Sequence, residues 1–202
     1  LVLPSTLGLV LLAEPIVSVL YERGAFDATD RLQTAGALRA YGYGLLFYAW
    51  LKVLQPAFYA IDKRWLPMLV SFFALGLNLG FNYFFVFVMK WGHESLALTT
   101  SITASVNFII LFLAMRKFAG DLGTVELLVL FGKLLFAGAV MGGVCLAANR
   151  YLFADLAATR FVVKVIYLGL TISVASAVYF VAAKLMQVSE ARDALGMITR
   201  KL

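Results

Sequence analysis

The chain has 202 residues, of which 63% are hydrophobic and 14% charged, with a mean hydropathy of +0.93 and a formal net charge of +6. Soluble domains run at roughly 45–50% apolar and about 25% charged, so a soluble globular protein is excluded. Disorder is excluded by the hydrophobicity, and a disulfide scaffold by the single Cys145. The 17 Lys and Arg residues stand singly or in pairs between apolar runs, the placement of membrane-flanking charge, and no nucleic-acid partner is expected.

A helix crossing the hydrocarbon layer needs about 20 residues. Apolar runs bounded by charge or turn residues predict spans near 1–21, 36–60, 66–89, 96–115, 127–149 and 161–187. The expected fold is an all-α, polytopic membrane helix bundle with six transmembrane helices; barrel strands would alternate over about 10 residues, and these runs do not. The first span starts at residue 1 with Pro4 already inside it and without a basic leader, which reads as a fragment of a longer chain. Its Glu14-Pro15 sets a charge beside a helix breaker, so Pro15 is an expected kink.

Ionisable groups at mid-bilayer cost about 2.5–3.5 kcal/mol, so each needs a reason. Lys52 lies deep in the second span, with Tyr41, Gly44, Tyr48, Gln55 and Tyr59 at three- and four-residue steps on one face. Pro56 removes the bond to the Lys52 carbonyl and is a second expected kink. Two readings fit: Lys52 pairs with a carboxylate or carbonyl in a packed interior, or it lines a cavity with Tyr48 and Gln55. Glu14 is a candidate counter-ion.

The third span places Ser71, Asn78 and Asn82 on one face, and the fourth does the same with Thr100, Thr103 and Asn107. Such amide and hydroxyl oxygens serve either as interhelical glue or as ligands for a hard monovalent cation. The fifth span carries Gly138-x-x-x-Gly142 and the sixth carries Gly169, Ser173 and Ala177 at the same spacing, which predicts a close-packed pair. A groove for an acyl or prenyl chain is the functional alternative to simple packing there.

His93 is the only histidine and Cys145 the only cysteine, so no transition-metal site or Ser-His triad is expected. Without a phosphate-binding glycine loop either, covalent catalysis is not expected. The face holding Lys63, Arg64, Arg116, Lys117, Lys133, Lys184 and the tail is the richer in basic residues, nine against seven, which places the C-terminus in the cytoplasm.

Leu20-Tyr21-Glu22-Arg23-Gly24-Ala25-Phe26, Lys52-Val53-Leu54-Gln55-Pro56-Ala57-Phe58-Tyr59-Ala60, Asn78 to Asn82 and Leu96-Ala97-Leu98-Thr99-Thr100-Ser101-Ile102, in that order, resemble the C-terminal half of the MurJ (MviN) lipid II flippases. That family belongs to the multidrug/oligosaccharidyl-lipid/polysaccharide exporter superfamily. The resemblance implies the last six helices of a fourteen-helix transporter of the bacterial inner membrane: residues 1–115 as helices of the C-terminal lobe, 127–187 as a helix pair forming a lipid groove, and 188–202 as a cytoplasmic tail. It implies alternating-access movement of the undecaprenyl-pyrophosphate-linked peptidoglycan precursor, with an N-terminal lobe carrying the cavity arginines as partner. The driving force would be a monovalent cation, sodium, or the membrane potential. It implies a cation site at Asn78 and Asn82 with Thr100, weakened because Asn82 stands where the family carries a carboxylate. The alternatives are a drug or oligosaccharide-lipid exporter of the same superfamily and a non-transporting membrane scaffold.

Overall fold

The computed structural model describes residues 2–24, 26–92, 94–120, 124–156 and 160–186. His93 and the tail expected at 188–202 lie outside them. All regular structure among the described residues is helical: α1 (Val2–Leu11), α2 (Ala13–Tyr21), α3 (Ala28–Ala60), α4 (Trp65–Tyr83) running on into a π-helical turn (Phe84–Val88), α5 (Glu94–Ala119), α6 (Thr124–Tyr151) and α7 (Phe161–Leu185).

Trp65–Val88, Glu94–Ala119, Glu126–Tyr151 and Phe161–Leu185 are long and apolar enough to cross a membrane, and α1 with α2 passes as a pair bent by 73°. That makes five of the six expected spans. The sixth corresponds to α3, which has the length at 33 residues but carries too many polar side chains to match the others. It also begins eight residues before the expected start at 36. Asp27 accepts from the amides of Thr29 at 2.8 Å and Asp30 at 3.0 Å, and Asp30 Oδ2 accepts from the Asp27 amide at 3.2 Å. This reciprocal cap satisfies the free amides of a helix start, and the Asp27-Ala28-Thr29-Asp30 string was its sequence signal.

The chain divides into two compact units, one of α1, α2, α6 and α7 and the other of α3, α4 and α5. In the first, Pro15 explains the break near Leu12. It has no N–H to offer the Leu11 carbonyl, and Asn149 Nδ2 of α6 donates to that oxygen instead at 2.7 Å. The core of this unit joins Leu12 to Ala137, Met141 and Cys145 of α6 and to Leu168, Ala175 and Tyr179 of α7.

The small residues in this unit pack differently from the expected glycine-paired α6 and α7. A Cβ on Gly138 would overlap Leu7 Cδ1, and one on Gly142 would reach Leu11 Cδ1 at 3.4 Å, so this glycine face receives α1. On α7 the buried stripe is Lys164, Leu168, Thr171, Ala175, Tyr179 and Ala183. Gly169 lies one residue past Leu168, about 100° around the helix, and Ser173 two past Thr171, about 200°; both are exposed, the Ser173 hydroxyl bonding back to the Gly169 carbonyl at 2.8 Å. Small size at a four-residue spacing permits close approach, but the apolar stripe decides which face is used.

In the second unit, α3 packs along α5. Ser101 Oγ donates to the Ala40 carbonyl, and a Cβ on Gly44 would lie 2.9 Å from Ser101 Cα. Gly44→Leu is therefore expected to destabilise this unit by about 1–3 kcal/mol through overpacking, read as a lowered unfolding midpoint in detergent; a midpoint equal to wild type would show that α3 and α5 are not held this close. Leu51, Phe58, Val70, Leu111 and Met115 close the core below that contact. Met68, Leu69, Phe72, Phe73, Leu75 and Leu79 of α4 are exposed, an apolar surface that suits acyl chains rather than water.

Candidate functional site

The stripe read around Lys52 splits in two. Leu51 and Phe58 are buried in the packing face of α3, whereas Tyr41, Tyr48, Lys52 and Tyr59 are exposed and Gln55 is half-buried at the edge. Gly44 belongs with the packing face, pressed on Ser101. Lys52 is thus not in the packed interior of its unit; it stands on an open face between Tyr48, 41% exposed, and Tyr59, 55% exposed. The phenol hydroxyls, the Gln55 amide and the ammonium offer donors to an anionic or hydroxylated ligand. Around Pro56 the helix continues unbroken to Ala60. The proline lies on the exposed side. Glu14, in the first turn of α2, is half-buried in the other unit.

On α4 and α5 the amides form a chain. Asn82 Nδ2 donates to Asn78 Oδ1 at 3.0 Å, Asn78 Nδ2 donates to Thr103 Oγ1 at 3.4 Å, and Thr103 donates to the Thr99 carbonyl at 2.7 Å. The α5 hydroxyl that meets Asn78 is that of Thr103, one turn on from Thr100, whose own hydroxyl is turned along its helix to the Leu96 carbonyl at 2.8 Å. The Oδ1 atoms of Asn82 and Asn107 are buried without a donor among the described residues. Buried acceptors left unpaired are costly, and a neutral amide oxygen is a ligand type that a hard cation takes.

Two clusters escaped the sequence reading. Lys164 of α7, counted there as a flanking charge, is 7% exposed; its Nζ lies 2.9 Å from Glu22 Oε2 and 3.0 Å from Ser18 Oγ at the end of α2. Ser18 in turn donates to Glu22. The second cluster surrounds a cavity of about 440 Å³ between the N-terminal half of α3 and the start of α5, lined by Gln33, Gly36, Ala40, Trp91, Gly92, Glu94, Ser95 and Leu98. Neither had a local signal: the partners lie far apart in sequence and each residue type is ordinary at a helix end.

A family model described as "Lipid II flippase MurJ" matches residues 1–169. Among curated relatives named "Probable lipid II flippase MurJ", the protein of Rickettsia prowazekii is 30% identical over 186 residues, covering 92% of this chain and 36% of the relative. That of Rhizobium tropici is 32% identical over 203 residues, covering 100% and 37%. That of Bdellovibrio bacteriovorus is 32% identical over 177 residues, covering 88% and 33%. The chain therefore spans about a third of the length of these relatives.

Proposed function

Because the chain belongs to the MurJ lipid II flippase family, a family of multi-pass membrane proteins, we propose that it works as part of a flippase that carries the polyprenyl-pyrophosphate-linked peptidoglycan precursor across the bacterial inner membrane. The observation that carries this reading is the exposed Tyr48-Lys52-Gln55-Tyr59 face of α3. A cation among phenols is expensive against lipid and suited to a water-filled passage for a pyrophosphate or sugar headgroup. Transport here is non-covalent: the residues bind and release, and no bond is made or broken.

In this reading α3 forms part of the cavity wall, and further helices beyond the span of this chain complete it. The last two helices serve the lipid tail, and the exposed apolar residues Val162, Ile166 and Leu170 of α7 support a lipid-facing role. The C-terminus is cytoplasmic, which sets the turn at 61–64 on the cytoplasmic side and the loop at 89–92 on the periplasmic side. Sodium, or the membrane potential, drives the cycle. The donor-free oxygens of Asn82 and Asn107 support a cation reading, with a neutral ligand set that binds sodium weakly.

The test reconstitutes the full-length protein in liposomes with a fluorescent lipid-linked precursor and follows its accessibility to an external quencher. Translocation is expected for the pyrophosphate-linked saccharide and not for amphiphilic drug cations; the reverse selectivity would make the protein an exporter, and no transport of either would leave the scaffold reading. Replacing sodium by choline is expected to slow the rate by less than about tenfold, the factor that 1.4 kcal/mol of lost binding would produce. A complete sodium requirement that Asn78→Ala abolishes would refute the weak site.

A further inference from the structure

The cavity between the N-terminal half of α3 and the start of α5 is lined by other residues than the Lys52 face, and its chemistry is specific. Its volume, about 440 Å³, falls in the roughly 300–1,000 Å³ range of small-molecule sites. Trp91 stacks on Phe85 with ring centroids 4.9 Å apart and an interplanar angle of 18°, and its amide donates to the Phe85 carbonyl at 2.9 Å. The indole is thus held in place from one side while remaining 48% exposed. The Glu94 carboxylate lies directly over Gly36, where any Cβ would overlap it, and it has no hydrogen bond or ion pair among the described residues. Gln33 adds an exposed amide to the same lining. Ser95 is already bonded to the Gly92 carbonyl at 2.8 Å and only shapes the floor.

We propose that this cavity is a saccharide subsite in which one sugar ring lays its C–H face on Trp91 and donates hydroxyl hydrogens to Glu94, with Gln33 bonding a further ring substituent. An immobilised indole supplies flat, rigid contact area at little entropic cost. An uncompensated carboxylate accepts two hydroxyl hydrogens through charge-assisted bonds, and an amide both donates and accepts. A ligand of mixed apolar face and polar rim fits all three; a purely apolar chain would leave the carboxylate and amide unpaired. This inference rests on the flippase reading for its source of sugar, the saccharide headgroup, and on the orientation given above it adds a contact on the periplasmic side, where the headgroup is released.

The experiment is saturation-transfer NMR on the full-length protein in nanodiscs, with N,N′-diacetylchitobiose as the probe and n-butylammonium as competitor. Wild type is expected to transfer magnetisation to the sugar C–H protons, Trp91→Leu and Glu94→Gln each to weaken binding by about tenfold, the consequence of one lost stacking or charge-assisted contact. Trp91→Phe, which keeps an aromatic face, is expected to retain most of the signal and so controls for folding. Gly36→Ala, which removes no ligand-touching group but displaces the carboxylate, is expected to weaken binding as Glu94→Gln does. Equal signals in wild type, Trp91→Leu and Glu94→Gln would overturn the proposal, as would displacement of the sugar by butylammonium at similar concentration, which would make the site cationic. If liposome translocation fails while chitobiose binds, the flippase reading falls and the sugar site stands; if translocation is intact and chitobiose does not bind, the sugar site alone falls.

Discussion

Lys52→Ala in the full-length protein is expected to abolish rescue of cells depleted of their own flippase and to slow precursor translocation by about tenfold to a hundredfold, the loss of one charge-assisted contact of roughly 1.5–3 kcal/mol. The position is exposed on α3, so removing the ammonium leaves no cavity in the core and should not lower the unfolding midpoint. Lys52→Arg, which keeps the charge and the donors, is expected to restore most of the rate. Gln55→Ala, at the half-buried edge of the same face, should cost less. Translocation by Lys52→Ala at the wild-type rate would remove the α3 face from the transport path.

The buried pair between Lys164 and Glu22 should dominate the stability of the first unit. Lys164→Met strips a cation from the Glu22 carboxylate and the Ser18 hydroxyl, in side chains that are 9% and 18% exposed. Breaking one partner of a buried pair costs about 3–5 kcal/mol, because the remaining charge stays buried without that counter-ion. The double variant Lys164→Met with Glu22→Gln removes both charges and is expected to recover most of that loss. Unfolding midpoints of the two single variants and the double in detergent decide it. Three midpoints equal to that of wild type would mean that the pair does not hold α2 to α7.

Much of the fold was readable in the chain. Continuous apolar runs of about twenty residues are the signature of spanning helices, and four helices and one bent pair meet it. The break at the first span was legible because Pro15 must orphan the Leu11 carbonyl; that Asn149, far along the chain, repairs it was not. The start of α3 at Asp27 does not show in the apolar pattern, because its signal is a local polar cap. The candidate site was legible only as residue types on a face. Periodicity put Lys52, Tyr48 and Gln55 together, but it also drew in Gly44, because a helical wheel has no means of showing where α5 lies.

Composition and periodicity by themselves determined a membrane-embedded helical protein with a polar-striped α3 and amides on α4 and α5, since the cost of polar groups in lipid acts on the chain wherever it folds. The ordered motifs from Leu20 to Ile102 pointed to the family, whose model matches residues 1–169. Only the tertiary structure decided that Gly138 and Gly142 receive α1 rather than Gly169 and Ser173, that Asn78 meets Thr103, that Lys164 is buried on Glu22, and that Trp91 and Glu94 open on one cavity with Gln33. Each of these joins residues from different helices, and which face of one helix meets which face of another is set by packing over the whole unit, a non-local sum that no window of sequence contains.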